Sequence, residues 1–405
     1  MKGLRIALIH NLKPAEKPTD LPMDYYSECD SLKTVAAIAK ALGSAGHTVL
    51  LAEANRALPQ WLTTHPVDLA FNIAEGFHGE ARESRVPALL DLMEIPYTGS
   101  GVCALALALD KAKSKQIFSH VGIPTPRFQL FLKPDDEIDK RLHFPLIVKP
   151  NREGSGKGIW ADSVVMNEQA LKAQVEKVFR LYAQEVLVEE YIEGMELTVA
   201  ILGADEALPI LEIDFSECTA SGESFYSWRM KEFQGNQELH LTPRFWCPAR
   251  LAPTVAAGCQ AVAGKAAKAL GTRDVVRVDI RLSSDGIPYV LEVNPLPGLD
   301  PEESNLPLMA QAAGISYEEL LKRIVHCAVA RSPRLSHHSL TDPKLSIPSS
   351  KTTLPVAKAP RRRALPDSKP KESGSSGDPV VAGRNHPGRR GETRQDDSKE
   401  ERLGP

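Results

Sequence analysis

A chain of 405 residues with 42% hydrophobic and 25% charged residues is long enough for two or three domains around a sizeable buried core. Its formal charge of -3 gives no reason to expect nucleic acid or a membrane surface as the main partner, so the substrate has to be read from motifs. Six scattered cysteines without a C-x-x-C pair argue against a disulfide framework and a zinc site and read as reduced thiols. The apolar run in residues 1–10 is too short for a signal peptide and no later stretch reaches the length of a membrane span, which sets a cytoplasmic expectation.

In chain order, residues 4–10 read as a buried strand, 31–45 as a helix closed by Ala-Gly-His, and 48–52 as a second strand. A strand at 68–73, a helix at 84–94 and the turn Pro96-Tyr97-Thr98-Gly99 complete a Rossmann-like α/β domain over 1–105. A helix near 106–121 and the break at Pro124-x-Pro126 precede the strand 144–149, which runs into the glycine-rich loop Asn151-Arg-Glu-Gly-Ser-Gly-Lys-Gly158. Strands at 185–190 and 196–202 read as a pair flanking the Glu193-Gly194 turn, a long helix at 254–270 precedes a hairpin at 275–294, and 301–331 looks helical. From Pro333 there is no Phe, Trp or Tyr, and 15 Lys+Arg stand against 9 Asp+Glu. Residues 332–405 therefore read as a disordered basic tail, with a solvated linker the favoured role.

The hairpin is the most informative segment. Val275-Val-Arg-Val-Asp-Ile-Arg-Leu282 and Tyr289-Val-Leu-Glu-Val-Asn294 alternate apolar and polar residues around Asp285-Gly286, the dipeptide preferred in a two-residue turn. Such a turn sets Ser284 against Ile287, hence Asp279 against Glu292 and Arg277 against Asn294, all on one face. Val276, Val278, Ile280, Leu291 and Val293 fall on the other, core-facing side. Two carboxylates facing each other repel unless a cation lies between them, and Mg²⁺ takes such oxygen ligands together with substrate phosphates. The competing reading is a salt-bridged sheet face neutralised by Arg277 and Arg281.

Lys149 at the end of its strand, with glycines at 154, 156 and 158, can bring backbone N–H groups and a cation to phosphates. The loop is not a Walker A motif, because Gly158 follows Lys157 where Ser or Thr is needed. In order along the chain come Ile95-Pro-Tyr-Thr-Gly-Ser-Gly101, Leu109-Asp-Lys111, Val148-Lys-Pro150 with Arg152-Glu-Gly-Ser155, Val188-Glu-Glu-Tyr-Ile192 with Glu196-Leu-Thr-Val199, and Glu292-Val-Asn-Pro-Leu-Pro-Gly298. This series resembles the D-alanine–D-alanine ligases of the ATP-grasp superfamily over residues 1–330.

The resemblance implies a mixed α/β and α+β fold: a pre-ATP-grasp domain over 1–105, then an ATP-grasp domain over 106–331 with subdomains of about 111–200 and 201–331. It implies ATP and Mg²⁺ (or Mn²⁺) as cofactors, held on Asp279, Glu292 and Asn294. Lys111, Lys149 and Lys231 are expected on the phosphates, with Glu153 and Ser155 in the closing loop. Glu189, Glu190, Tyr191 and Ile192 are expected around adenine and Glu196 at the ribose. Arg277 and the backbone of Gly298 are expected to stabilise an oxyanion, with Ser155 and Glu28 also catalytic. Glu28 and Asp30 match the family's acidic pair for a substrate ammonium, although helix capping competes as their role. The family's histidine-glycine is replaced by Glu75-Gly-Phe-His78-Gly79, so either Glu75 or His78 takes that position, and Ser304 is expected at the second substrate's carboxylate. Glu232 stands where a tyrosine usually follows the lysine at 231. The implied reaction is phosphorylation of a carboxylate to an acyl phosphate, attack by an amine, and release of ADP and phosphate. Its expected partners are small amino acids, as in peptidoglycan-precursor synthesis, and a homodimer is what the family suggests. A phosphotransferase on the same nucleotide site is the alternative.

Overall fold

The computed structural model describes residues 3–14, 16 and 21–336, and they build three sheets. The first is parallel, with Arg5–His10 between Thr48–Glu53 and Leu69–Asn72. All residues from Ile6 to His10 are buried, as a strand covered on both faces requires. The helix Leu32–Ser44 packs beside it, started by Ser31, whose side chain accepts from the Thr34 N–H, the usual use of serine at a helix start.

The second sheet is antiparallel, in the order Phe128–Phe131, Val186–Glu190, Leu146–Pro150, Val164–Val165. Its core is completed by the helix Glu168–Tyr182, which buries Leu171, Val175 and Val178 on one stripe. The third sheet centres on Gly194–Leu202 and Val275–Ser283, with Leu211–Asp214, Arg244–Trp246 and Pro288–Asn294 outside them. One face is covered by the helix Pro253–Leu270 through Cys259, Ala263, Ala266 and Ala267, small residues that let a helix lie close. The other face meets Asn305–Ala312, Tyr317–Ala330 and the helix Leu32–Ser44 in a shared core containing Leu42, Leu211, Met309 and Leu320.

Several readings need correction. Val186–Glu190 and Gly194–Leu202 are not a pair: they belong to different sheets, and the chain crosses between them at residues 191–193. The single helix near 106–121 is two, Val102–Leu109 and Lys111–His120, because Asp110 ends one and accepts from Lys113 N–H to start the other. Residues 333–336 form a helical turn with Leu335 in the core; the rest of the expected tail, from 337, lies outside the described residues.

The hairpin combines a wrong turn with a right register. The loop has three residues, Ser284-Asp285-Gly286, with Gly286 at φ +79°, where a side chain would be strained. Leu282 therefore pairs with Pro288 and Ile280 with Val290, but a bulge beside Ile280 shifts the register back, leaving Asp279 opposite Glu292 and Arg277 opposite Asn294. The extra loop residue and the bulge cancel at these pairs. Leu291 is the residue displaced: it is half-buried and lines a cavity, while Val290 takes the core position expected for it.

Candidate active site

Two cavities meet at the hairpin. One, of about 480 Å³, lies between the segments around residues 26–34 and 75–83 and the third sheet; the other, of about 90 Å³, lies between the second and third sheets. Lys111, Tyr226, Lys231, Arg277, Glu292 and Asn305 line both. A group passed from one cavity to the other would travel past three cations and a carboxylate.

In the smaller cavity, Glu189 is 1% exposed and lies between two lysines, pairing with Lys149 and, at 2.8 Å, with Lys115. Lys115 has no exposed side-chain surface and also donates to Thr125 Oγ1 at 2.8 Å. Burial pulls it down to about 8 against the attraction of Glu189. Burial works against ionised Glu189 too, but Lys115 and Lys149 outweigh it and hold the carboxyl below its ordinary range. Sequence reasoning missed Lys115, although a second lysine four residues after Lys111 and on its face was visible. Glu190, Tyr191, Ile192 and Glu196 line the same cavity. Glu190 accepts from His143 Nδ1 at 3.0 Å, and the Tyr191 hydroxyl accepts from Arg281 at 2.9 Å. Glu196 accepts from Tyr226 N–H at 3.2 Å and is raised by burial despite Arg281 at 3.7 Å.

On the hairpin, Arg277 clasps Asp279 with Nε at 3.0 Å and Nη2 at 2.9 Å, Asn294 Nδ2 donates to Asp279 at 3.0 Å, and Thr198 Oγ1 does so at 2.6 Å. The register of this face is as expected, and arginine neutralises one of its acids. Glu292 pairs with Lys111 at 3.3 Å. Burial opposes its charge, but Lys111, Lys149, Lys231 and Arg277 hold its carboxyl far below the usual range. Among the described residues no three His, Cys, Asp or Glu side chains converge as a ready metal cage. Two carboxylates and an amide oxygen are nevertheless a hard-oxygen set that fits Mg²⁺, which takes the rest of its shell from water and substrate phosphates. Burial pulls Lys231 down, reinforced by Arg277, and its Nζ lies 4.8 Å from the centre of the Tyr226 ring.

The glycine-rich loop is tied down over these cavities. Gly158, at φ +74°, lies where a Cβ would meet Pro150 Cγ at 2.3 Å, so only glycine fits. Its N–H donates to Asp24 at 2.8 Å, and Asp24 also accepts from the Tyr182 hydroxyl at 2.5 Å. Ser155, at φ +52°, lines the larger cavity, and the Trp160 and Trp228 rings pack at a tilt of 55°, their centres 4.8 Å apart. Trp228 Nε1 donates to Ser27 at 2.7 Å. Glu28 accepts from Arg82 at 2.6 and 2.8 Å, from Gly154 N–H at 2.6 Å and from Lys157 at 3.1 Å. Glu153 joins this knot through Lys157, Arg82 and Gln184. Glu28 thus latches the loop, and its oxygens are already committed.

Glu75 and Asp30 line the larger cavity, whereas His78 is exposed and outside it. That geometry settles which of Glu75 and His78 faces the cavity. Ser304 and Gly298 line its far end, with Ser304 Oγ accepting from Asp300 N–H at 3.0 Å. Glu232 pairs with Lys13 at 3.4 Å. Arg82 and Glu83 were not singled out; the charged run Glu80-Ala-Arg-Glu-Ser-Arg85 was the available signal.

Two sheets facing each other across a charged cavity, with a glycine-rich loop closed over it, define an ATP-grasp ligase. The structure matches D-alanine–D-alanine ligase from Bacillus anthracis complexed with ATP at a TM-score of 0.64 and 27% identity, covering 81% of this chain and 98% of that one. The D-alanine–D-alanine ligase of Syntrophotalea carbinolica is 38% identical over 301 residues, 74% of this chain and 92% of the relative. The uncharacterized protein y4sG of Sinorhizobium fredii is 34% identical over 304 residues, 73% of this chain and 87% of the relative. The family model "D-ala D-ala ligase C-terminus" matches residues 117–326. The chain belongs to the D-alanine–D-alanine ligase family and is an ATP-dependent ligase of the ATP-grasp superfamily. No described helix is long and apolar enough to cross a membrane.

Proposed function

We propose that this ligase joins two amino acids through an acyl phosphate. The observation that carries the reading is the meeting of the two cavities at Lys111, Lys231, Arg277 and Glu292. The smaller cavity would take the nucleotide, the larger one the amino acids. A carboxylate oxygen of the first amino acid attacks the γ-phosphorus of ATP, and ADP leaves. The second amino acid's amine then attacks the acyl carbon, phosphate departs with the C–O bond electrons, and the amine proton is lost.

Lys111, Lys149 and Lys231 would hold phosphate oxygens in place, and Arg277 with the Gly298 N–H would stabilise the tetrahedral oxyanion. Asp279, Glu292 and Asn294 would hold Mg²⁺, which when bound neutralises phosphate charge. Glu196 is proposed at the ribose, residues 189–192 around adenine, and Ser155 at the loop's inner face. Glu28 serves first as the loop's latch, leaving Asp30 and Glu75 nearest to an ammonium; Ser304 is proposed at the second carboxylate. The division into an N-terminal domain up to 105 and an ATP-grasp domain to 331 belongs to the same reading, as do a cytoplasmic setting and a homodimer. Use of ATP and six free cysteines support the setting.

The test is a phosphate-release screen over pairs of amino acids in both enantiomers, with mass analysis of products. An amide with equimolar ADP and phosphate is expected. A phosphorylated amino acid without amide would replace this reading with a phosphotransferase.

A further inference from the structure

One end of the larger cavity holds more carboxyl groups than this reaction uses. Glu83 is only 7% exposed and lines the cavity, and its carboxylate makes no hydrogen bond or ion pair with any described residue. Asp30 and Glu75 line the same cavity, and their carboxylates are also without such partners among the described residues. Neighbouring Glu28 is the opposite case, saturated by Arg82, Gly154 and Lys157.

A buried carboxylate without a partner takes up a proton or waits for a cation. Burial pushes Glu83 up to about 8, with Glu28 and Glu292 adding to the shift while Arg82 and Lys111 oppose it. Asp30 is pushed up to about 7 by burial and Glu53, and burial, Glu28 and Glu83 raise Glu75 well above the ordinary range. On the two-amino-acid reading this cavity takes the amino acids, so the cation that reaches these carboxyls is an ammonium. A substrate's single α-ammonium pairs with one of the three carboxyls and leaves the others. The cavity's volume of about 480 Å³ lies in the range that encloses drug-sized ligands, with room for a longer side chain.

Building on the two-amino-acid ligase reading, we infer that Asp30, Glu75 and Glu83 form a recognition site for a substrate with a second amine on its side chain, a diamino acid. Glu83 and Glu75 are the specificity-determining residues of this site.

The test compares each diamino acid with its neutral isostere, lysine with 2-aminoheptanoic acid and ornithine with norleucine, in both enantiomers. Phosphate release should favour one diamino member by at least about tenfold in kcat/KM, the worth of one charged hydrogen bond. In Glu83→Gln and in Glu75→Gln that preference should shrink to within about threefold; a ratio of two substrates on one sample is insensitive to the fraction folded. Equal or better use of the neutral isosteres by the wild type would overturn the inference, as would an equal loss on both members of a pair in the variants. Calorimetry without nucleotide separates this from failure of the ligase reading. Tighter binding of a diamino acid that Glu83→Gln abolishes supports the site even if no pair releases phosphate. Equal affinity for both members overturns it even if ligation proceeds.

Discussion

Around Glu189 each buried charge has a partner of opposite sign: Lys115 at 2.8 Å and Lys149 close on its other oxygen. Around Glu83, on the other side of Lys111, three carboxylates face a cavity without a single hydrogen bond among the described residues. The first group is charge-paired before any ligand arrives, so it can hold a nucleotide in one geometry whichever amino acids are joined. The second is unfinished, and a ligand must supply what it lacks. On the two proposals above, reaction class would reside in the paired region and selectivity in the unpaired one.

The sharpest attempt to break this division is Glu292→Ala. Losing several kcal/mol of phosphate-charge stabilisation should cut ATP turnover by roughly three orders of magnitude, while far-ultraviolet circular dichroism stays that of the wild type. Retained turnover would remove the hairpin from the chemistry. Lys115→Met should come next. It leaves Glu189 with one partner, and breaking a buried ion pair costs about 3 kcal/mol or more, readable as a lower urea midpoint. A near-zero change would mean that Lys149 alone satisfies Glu189.

The unpaired region gives a pH signature. Glu83, raised to about 8, holds its proton in the folded protein where the unfolded chain has released it. Its contribution to stability is complete below about pH 4.3, the unfolded value, and is lost as pH rises through about 8. Glu83→Gln should therefore flatten the fall in the ligand-free melting temperature between pH 5 and 9, by a few degrees on the order expected for such changes. An unchanged slope would show that Glu83 already has a partner. The smallest effect belongs to the loop latch: Tyr182→Phe removes one hydrogen bond to Asp24, worth about 1 kcal/mol, and should raise the KM for ATP a few-fold. No change in KM would mean that Gly158 N–H alone anchors the loop.

Alternation at 275–282 and 289–294 determined the hairpin, and ordered motifs determined the ATP-grasp class, because both depend on residue type at fixed spacing. The helix beginning at residue 31 was also legible, whereas the break at Asp110 within 106–121 was not. Local chemistry could not reveal that the loop has three residues or that a bulge compensates, since Asp-Gly suits either turn and the bulge depends on packing against the neighbouring strand. The amphipathic helix at 168–182 and the strand at 211–214 were legible and were passed over. Only the tertiary structure decided where charges a long way apart in sequence end up: Glu28 against Gly154 and Lys157, Lys115 against Glu189, and Glu75 rather than His78 facing the cavity. A charge's partner is set by what burial brings beside it, and that is not written in its own segment of chain.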